Sequence, residues 1–455
     1  MSDTASRVQQ NITARLERLP ISRWHITICV VMGFALFFEG FEILSTAYVV
    51  PVLREEWHIT PQQIGFLIAT AFAGQVAASL VSGWIADRIG RLKTIMGSVA
   101  LYSLMSLVCA FAWDVNSLAA FKFVQGLGVG PLIPVSAAYM SEIAVARSRG
   151  RFYVIYELAY SIGLASAGFA GAWIVPHLGW QALFYAGAVP AVLVVFMVKL
   201  LPESPRWLVA AGHGEEAERV MADIERRIVA QGYRLGPVEE PALSPAAVVK
   251  RGDWRELFRG NYSRRTPLLW FMWFSAFAII APVTTWLPTI YRSDFHVSFA
   301  QANLLGAVHQ TLGITGGLIC GLVIDHIGRR RWFIFAFFGS AFCLASYWAI
   351  GSASLWVLFA ATSANQFCMG SVANSLGIYT AELYPTRIRA VGISLCQAWS
   401  RGASSIGPAA LGFLLPNYGI GVALLAIAGL SLVCGAIVVS KAPETKGALL
   451  ETLSP

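Results

Sequence analysis

Five charged side chains and one histidine interrupt the long apolar runs of this sequence: Glu39, Glu42, Lys122, Glu157, His309 and Arg401. Placing a charge in hydrocarbon costs about 2.5–3.5 kcal/mol on insertion scales, so such residues indicate a functional site. Glu39 and Glu42 are three residues apart and share roughly one face of a helix. Neighbouring buried carboxylates favour the protonated form of at least one of them, which is the chemistry of a proton carrier.

Arg401 stands in the centre of an apolar run, within QAWSRGASSIGP at 397–408. Its guanidinium stays charged and can hold a carboxylate through two parallel hydrogen bonds, which makes it a candidate for binding a substrate anion. An interhelical salt bridge is the alternative. His309 and Gln310 are candidates for hydrogen bonds to the same ligand, and Glu157 suits either an inner gate or a substrate contact. Further candidates to line a shared cavity are Tyr156, Tyr160, Trp286, Asn365, Gln366 and Gln397.

The composition places these residues in a membrane. The chain has 455 residues, of which 56% are hydrophobic and only 13% charged, and its mean hydropathy is +0.63. Soluble domains carry about 25% charged residues, so this chain has too few to cover a water-facing surface. The lipid bilayer is therefore its main partner, and the net charge of +8 reflects basic loops rather than nucleic-acid binding. The seven cysteines lie in apolar stretches without CxxC spacing, so we expect neither a metal site nor disulfides.

A membrane-spanning helix needs about 20 mostly apolar residues. The sequence predicts an all-α membrane protein with twelve spans, at about 24–50, 61–84, 92–113, 116–140, 152–175, 180–200, 266–290, 299–322, 332–352, 355–380, 391–415 and 418–440. The predicted organisation is a cytoplasmic N-terminal segment (1–23), a six-helix bundle (24–200), a cytoplasmic linker (201–265), a second six-helix bundle (266–440) and a cytoplasmic C-terminal tail (441–455). Within the linker, apolar residues at helical spacing over 214–229 predict an amphipathic helix on the cytoplasmic face between the two halves.

Basic residues set the predicted orientation. Twelve spans place both termini on one side, and if that side is the cytoplasm only Arg54 and Arg292 fall in outer loops. Lys122 and Arg401 lie inside spans, and the other Lys and Arg residues are cytoplasmic or at cytoplasmic helix ends. The short loops and the lack of targeting extensions favour a bacterial inner membrane.

Polar motifs recur at a nearly constant offset. GWIADRIGRLK at 83–93 matches GLVIDHIGRRR at 321–331, MSEIAVARSRGR at 140–151 matches TAELYPTRIRAV at 380–391, and PESPR at 202–206 matches PETKG at 443–447. The acidic residues of these pairs are 238, 240 and 241 residues apart. The common offset indicates two six-helix repeats of the same topology, an arrangement suited to alternating access about a midplane site.

These motifs carry a family resemblance over essentially the whole chain. The pattern G-x-x-x-D-R-x-G-R-x-K at 83–93 resembles the signature that major facilitator superfamily transporters carry between their second and third helices. PESPRWL at 202–208 and PETKG resemble the sugar porters of that superfamily. EGFE at 39–42 resembles the D-G-F-D motif of its aromatic acid:proton symporters, and niacin-type carriers share much of this pattern. The resemblance implies the fold of that superfamily, with two pseudo-symmetric six-helix bundles.

By this resemblance Glu42 takes the place of the proton-site aspartate, and Lys122 in KFVQG takes the place of the arginine in the helix 4 motif R-x-x-Q-G. A cation there stabilises ionised Glu42 and is released when Glu42 takes a proton. Lysine is a departure, because a buried lysine gives up its proton far more readily than arginine. We expect Glu39, Glu42 and Lys122 to form the proton-coupling group, with a structural buried pair as the alternative. Related organic-acid carriers also carry a helix 11 arginine, as Arg401 would be.

The loop motifs are the expected inner gate. The resemblance implies a charge network of Asp87, Arg91, Glu142, Arg149 and Glu203 that holds the outward-open state, mirrored by Asp325, Arg329, Glu382, Arg389 and Glu444. Arg88 belongs to the same motif, and Asp87 is a candidate to face a helix N-terminus, where the macrodipole favours an anion. Anchoring of the topology is the alternative role for these residues.

The sequence thus predicts a monomeric secondary active transporter, not an enzyme, that takes up a small organic acid such as an aromatic or heteroaromatic carboxylate. No catalytic residue, cofactor or metal is expected, and the proton is the coupling ion. A sugar or polyol symporter is the first alternative, although Arg401 and Lys122 would place surplus positive charge beside a neutral ligand. Proton-antiport efflux, a sensor and a membrane enzyme are further alternatives, and no Gly-rich phosphate loop or metal cluster in the sequence supports an enzyme.

Overall fold

The computed structural model describes residues 3–143, 149–238, 254–351 and 354–446. Within these ranges the side chains of residues 3–7, 9, 149–157, 254, 386, 387 and 390 lie outside the description. The helices are α1 (Asp3–Glu17), α2 (Arg23–Trp57), α3 (Pro61–Ile89), α4 (Arg91–Cys109), α5 (Val115–Val129), α6 (Leu132–Ile143), α7 (Arg149–Leu178), α8 (Gln181–Ala188), α9 (Ala191–Leu200), α10 (Pro205–Ala210), α11 (Gly214–Ala230), α12 (Tyr262–Phe295), α13 (Phe299–Ile327), α14 (Arg329–Ile350), α15 (Leu355–Leu383) and α16 (Thr386–Lys441). A short 3₁₀ helix, Trp254–Phe258, precedes α12.

These helices make twelve membrane crossings, which confirms the predicted all-α fold. Ten described helical stretches are long and apolar enough to span a bilayer, and α15, with 29 residues, adds another crossing. The last of the ten crosses twice, because two helices meet at Gly419, whose backbone is not helical (φ 76°, ψ 170°). α5 with α6 and α8 with α9 each form one crossing that is interrupted next to a proline, Pro131 or Pro190. Proline interrupts a helix because it lacks the N–H and clashes with the preceding turn.

The crossings form two bundles, α2–α9 and α12–α16. We call the face where α4 and α14 begin the basic face, and the face where α2 and α12 end the opposite face. The bundles meet between α2 and α12, α3 and α16, and α7 and α13. Arg292 Nε lies 2.9 Å from a Glu55 carboxylate oxygen at the opposite face. Deeper in the protein, the Ser405 hydroxyl donates to the Ala69 carbonyl at 2.9 Å. These contacts join the bundles from the opposite face to mid-depth.

Two glycines allow α3 and α5 to pack closely within the first bundle. A Cβ at Gly74 would lie 2.1 Å from the Phe123 carbonyl oxygen, and a Cβ at Gly126 would lie 2.3 Å from a backbone oxygen of α3. Small residues allow helix backbones to approach in this way inside a membrane. The close approach brings Gln75 of α3 beside Lys122 and Gln125 of α5.

The amphipathic helix expected in the linker is present as α11. It buries Ala217, Met221, Ile224 and Ile228, at the spacing that the sequence predicts. It packs against α1, α10 and α2, and so belongs to the first bundle rather than lying between the two halves.

The helix α1 was not anticipated within the N-terminal segment. Its buried side chains Ile12 and Leu16, and Leu19 just after it, belong to the same apolar cluster as those of α11. Arg15 forms ion pairs with Glu218 (2.5 Å) and Glu225 (2.6 Å), and Arg18 forms another with Glu225 (2.5 Å). Apolar burial and opposite charges therefore dock α1 on α11.

We predict that Glu225→Gln loosens the docking of α1. Burial raises the pKa of Glu225, but hydrogen bonds and charges from Arg15 and Arg18 outweigh it and leave the pKa below its usual value. A lowered carboxyl pKa stabilises the docked state above the usual range of that carboxyl, and this contribution is lost as the pH falls through the lowered pKa. At pH 7 amide hydrogen exchange in α1 should therefore be about twofold to fivefold faster in the variant than in the wild type.

The difference between the two proteins should vanish at acidic pH, where the wild-type carboxyl also carries a proton. Asp223→Asn is the matched control, because Asp223 pairs with Arg226 and Arg227 of its own helix. Equal exchange in wild type and Glu225→Gln at pH 7 would show that the ion pairs do not hold α1.

Candidate functional site

The structure divides the two helix α2 carboxylates between two different cations. Glu42 pairs with Lys122 of α5, with 3.3 Å between Oε2 and Nζ. Glu39 faces Arg401 of α16, with 3.8 Å between Oε1 and Nη2. Both carboxylates are buried, as is Lys122, which is 1% exposed. The predicted pair of adjacent acids is therefore two acid–base pairs, one inside the first bundle and one across the two bundles.

Glu42 accepts hydrogen bonds on both carboxylate oxygens. Gln125 Nε2 donates to Oε2 at 2.8 Å, and Gln125 Oε1 in turn accepts from Lys122 Nζ at 2.7 Å. The Ser106 hydroxyl donates to Oε1. The Ser45 hydroxyl, 3.4 Å from Oε2, is bonded to the backbone carbonyl of Glu42 at 2.9 Å. The described side-chain groups around this carboxylate therefore act as hydrogen-bond donors to it.

Helix α8 closes the other side of the Glu42 site. The Phe184 ring lies 4.6 Å from the Lys122 ammonium, a cation–π contact. The Phe184 carbonyl lies 2.8 Å from the Ser106 hydroxyl. A Cβ at Gly187 would lie 1.5 Å from Glu42 Oε1, so only glycine allows the carboxylate to rest against α8.

Arg401 of the second bundle reaches across to the first bundle. It donates to Gln75 Oε1 of α3 in addition to facing Glu39. Its side chain is 12% exposed, whereas that of Glu39 is fully buried. In this conformation the guanidinium is therefore already engaged by an amide and a carboxylate of the opposite bundle.

A small cavity lies between Glu42, Lys122 and Gln75. Its volume of about 20 Å³ is room for about one water molecule. Its polar lining is Glu42, Thr46, Gln75, Lys122, Gln125 and, from the second bundle, Thr285. Ligand sites usually enclose about 300–1,000 Å³, so the bundles must move apart before an aromatic acid could occupy this place.

The second bundle carries its own buried polar group. Gln310 Oε1 accepts from Gln366 Nε2 at 2.6 Å and lies 3.5 Å from the Thr284 hydroxyl. His309 is 1% exposed in the same helix, α13. Asn365 Oδ1 accepts from the Ser340 hydroxyl of α14 at 2.6 Å and so faces away from the first bundle. The structure thus brings Gln310 and Gln366 together, as predicted for residues of one site. Asn365 does not join them.

The remaining cavity candidates have separate surroundings. Trp286 is buried and donates to the Pro408 carbonyl at 3.0 Å, in the packed contact between α12 and α16. The backbone of Tyr160 packs against Gly40, which follows Glu39. Gln397 is half-buried one turn before Arg401. The side chains of Tyr156, Glu157 and Arg149 lie outside the described residues.

The inner-gate residues of the first repeat form a network at the basic face. Arg91 lies 2.5 Å from Asp87 and 3.3 Å from Glu142. Glu203 accepts from the backbone N–H groups of Arg91 (3.0 Å) and Leu92 (3.0 Å). The carboxylate at the start of α4, where the helix dipole favours an anion, is thus that of Glu203 rather than Asp87. Arg88 lies beside the network, its guanidinium 4.1 Å from the Trp84 ring centroid.

The second repeat reproduces this network. Arg329 lies 2.7 Å from Asp325 and 2.8 Å from Glu382. Glu444 accepts from the backbone N–H of Arg329 at 2.9 Å, at the start of α14. Arg389 Nε donates to the Tyr384 carbonyl at 3.2 Å. Each described network lies within one bundle, so it ties the helices of that bundle to one another.

Sequence reasoning did not single out Gln75, Ser106, Gln125, Phe184 or Gly187, which the structure places at the Glu42 and Arg401 sites. Gln125 lies three residues after Lys122 and so shares its helix face, and Gln75 is a polar residue inside an apolar run. Both signals were readable from the sequence. Serine and glycine are common in membrane helices, so nothing in the sequence distinguishes Ser106 and Gly187.

We predict that Gly187→Ala destabilises the protein by about 1–3 kcal/mol, because the added methyl group displaces the buried Glu42 carboxylate. Thermal unfolding of the purified protein measures this effect. Gly97→Ala in α4 is the control, since no atom lies within 4 Å of a Cβ there, and alanine stabilises a helix interior by up to about 1 kcal/mol. Equal melting temperatures for the two variants would contradict the close contact between Glu42 and α8.

Comparisons with known proteins agree with this architecture. The family model described as "Sugar (and other) transporter" matches residues 27–455. The chain is 27% identical over 444 residues to the niacin transporter NiaP of Acinetobacter baylyi, covering 97% of this chain and 99% of that protein. It is 29% identical over 402 residues to the 4-hydroxybenzoate transporter PcaK of the same organism, covering 87% and 85%.

A solved structure supports the fold. The inward open conformation of the xylose transporter XylE from E. coli matches with a TM-score of 0.74 at 17% sequence identity, covering 94% of this chain and 99% of that chain. The two six-helix bundles, the repeated loop networks and the family match over residues 27–455 lead to one conclusion. This chain belongs to the sugar (and other) transporter family of the major facilitator superfamily and is a membrane transporter, not an enzyme.

Proposed function

We propose that this transporter takes up a small organic anion, of the aromatic or heteroaromatic carboxylate class, together with protons by alternating access. The observation that carries the proposal is the presence of two buried acid–base pairs, Glu42 with Lys122 inside the first bundle and Glu39 with Arg401 across the two bundles. The relatives named as niacin and 4-hydroxybenzoate transporters support the substrate class.

Glu42 is the proton site in this proposal. Its ionised carboxylate is balanced by Lys122, Gln125 and Ser106. A proton on Glu42 removes the attraction to Lys122, whose ammonium keeps the Gln125 amide oxygen and the Phe184 ring as partners. Lys122 therefore keeps these partners whether Glu42 is ionised or protonated. They lower the free-energy cost of separating Lys122 from Glu42.

Arg401 is the substrate carboxylate site. The 3.8 Å separation from Glu39 is longer than a charge-assisted hydrogen bond, so an incoming carboxylate that bonds to both guanidinium nitrogens can replace Glu39. Gln310 and Gln366 supply further polar contacts from the second bundle. Replacing Glu39 also removes a contact between the bundles, so substrate binding favours their separation.

The conformational change follows from where the bundles touch. The contacts at Glu55–Arg292 and Ala69–Ser405 close the path to the opposite face. Alternating access requires these contacts to break while each bundle stays intact, since rigid bundles rock about the central site. The two basic-face networks keep the helix ends of each bundle together during that motion.

The proposal includes the orientation of the protein in the membrane and its oligomeric state. The basic face lies in the cytoplasm of a bacterial inner membrane, with both termini on that side, because basic loops are retained there. The protein acts as a monomer, since one chain supplies both bundles and all the groups of the site.

A sugar or polyol is the competing substrate class, supported by the family description and the PESPR motif. Charge separates the two classes, because a neutral ligand leaves the Arg401 guanidinium without a counter-charge once Glu39 is displaced. A thermal-shift screen of the purified protein against carboxylates and sugars tests this directly, since a ligand that binds only the folded state raises the melting temperature. Stabilisation by sugars alone would reject the carboxylate.

We predict that uptake of a labelled aromatic carboxylate into cells is faster at low external pH and collapses when a protonophore is added. Each transported monoanion then enters with at least one proton, so the pH gradient drives accumulation. Cells that lack the protein set the background for weak acids that cross the membrane unaided. Uptake above this background that is insensitive to both treatments would remove proton coupling.

We predict that Arg401→Lys weakens carboxylate binding about 10- to 100-fold although the charge is kept, because an ammonium cannot form the bidentate fork. Titration of the purified variant measures this change. Arg292→Lys is the matched control, an arginine that also faces a glutamate of the other bundle but outside the cavity. Unaltered affinity in Arg401→Lys would favour a purely structural salt bridge.

A further inference from the structure

The Ser106 hydroxyl lies between two acceptors. Its Oγ contacts Glu42 Oε1 and lies 2.8 Å from the Phe184 carbonyl oxygen. A hydroxyl has one proton to donate and two lone pairs to accept with. Ser106 can therefore donate to only one of these oxygens at a time, and the state of Glu42 decides which.

When Glu42 is ionised, the Ser106 proton points to Oε1, because a charged acceptor makes the stronger hydrogen bond. When Glu42 carries a proton on Oε1, that oxygen becomes a donor and needs an acceptor. Around Oε2 the neighbouring atoms of Lys122 and Gln125 are donors. Ser45 lies 3.4 Å away, beyond the usual range for O–H···O bonds. Ser106 is the well-placed acceptor among the described residues.

We propose that Ser106 is a positioning residue that reports the protonation of Glu42 to helix α8. The proposal rests on the proposed function of Glu42 as the proton site. In the protonated state Glu42 donates to Ser106, and Ser106 turns its own proton to the Phe184 carbonyl. In the ionised state Ser106 donates to Glu42, and the bond to α8 is lost. Protons are conserved, since the hydroxyl only rotates.

Helix α8 is placed to respond to this change. It is eight residues long and ends beside Pro190, where the crossing is interrupted. Its contacts with the site are the Phe184 ring on Lys122, the Phe184 carbonyl on Ser106 and Gly187 against Glu42. The proposal requires that this short helix, with the crossing interrupted at one end, shift slightly between the two states of Glu42. The hydrogen bond from Ser106 to the Phe184 carbonyl forms when Glu42 is protonated and is absent when Glu42 is ionised. It therefore favours one position of α8 over the other.

The described charged and titratable groups around Glu42 do not provide a second reporter of this kind. Lys122 faces it from α5, Tyr102 and Cys109 from α4, and Glu39 precedes it on α2. Arg401 of α16 faces Glu39. The tyrosine of α8, Tyr185, is 44% exposed and packs against Phe111. Ser106 is the described hydroxyl that joins the carboxylate to α8.

The test compares two modes of transport by Ser106→Ala and Ser106→Thr in proteoliposomes. Net accumulation driven by a pH gradient requires Glu42 to release and regain its proton in every cycle. Exchange of labelled for unlabelled carboxylate at equal pH does not require that release. We expect the ratio of gradient-driven accumulation to exchange to fall at least tenfold in Ser106→Ala. Ser106→Thr keeps the hydroxyl and should restore accumulation.

Ser45→Ala is the matched control, because it removes a hydroxyl near the same carboxylate that does not touch α8. The ratio of accumulation to exchange in Ser45→Ala should match that of the wild type. An unchanged ratio of accumulation to exchange in Ser106→Ala, or the same loss in Ser45→Ala, would overturn the role of Ser106. If Ser106→Ala does not reach the membrane, Ser106→Cys, whose thiol is a weak donor, takes its place in the same comparison.

The failure of this inference is distinct from the failure of the proposed function. If the wild-type protein exchanges a carboxylate but does not accumulate it in a pH gradient, proton coupling itself is wrong, and the role of Ser106 falls with it. If the wild type accumulates the carboxylate and Ser106→Ala does so equally well, the proposed function stands and the reporter is wrong.

Discussion

The buried ion pair of Glu42 and Lys122 constrains the rest of the first bundle. Breaking such a pair by removing one partner costs about 3–5 kcal/mol, because an uncompensated charge stays in a low-dielectric interior. The protein meets that constraint by surrounding both charges: Gln125 bridges them, and Ser106 and the Phe184 ring complete the shell. These groups come from four helices, so the charges fix how α2, α4, α5 and α8 pack. The missing Cβ at Gly187 is a steric condition for that packing, and Gly74 allows α3 to lie against α5 beside it.

The two acid–base pairs differ in what motion does to them. Glu42 and Lys122 belong to one bundle, and their distance is preserved when that bundle moves as a body. Glu39 and Arg401 belong to different bundles, and any opening at this depth separates them. In the proposed mechanism, a proton taken up by the first pair changes a charge without moving the bundles, whereas a ligand at the second pair competes with a contact that holds the bundles together. The two pairs lie about one helical turn apart on α2.

Sequence reasoning located the spans, the repeat and the two cations that the glutamates meet, because charges in apolar runs and motifs at a constant offset are properties of the chain alone. It did not separate Glu39 from Glu42, since three residues on one helix face look like a single site until the neighbouring helices are in place. It gave Asp87 as the candidate for the carboxylate at the start of a helix. At the start of α4 the structure instead has Glu203, which lies 112 residues from Arg91 along the chain. Ser106 and Gly187 were out of reach, because a serine or glycine gains its role only from what packs against it.

The internal repeat explains which parts of the protein are shared between the halves and which are not. The networks around Arg91 and Arg329 join equivalent partners, including a glutamate that accepts from the first backbone N–H of α4 or α14. The charged site has no such copy: the residues 238 positions after Glu39 and Glu42 are Phe277 and Ile280, and 360–363 holds no charge opposite Lys122. The loop networks are thus common to both bundles, whereas the buried charges belong to the first bundle and to its contact with Arg401. A second buried ion pair in the other bundle would add its own desolvation cost.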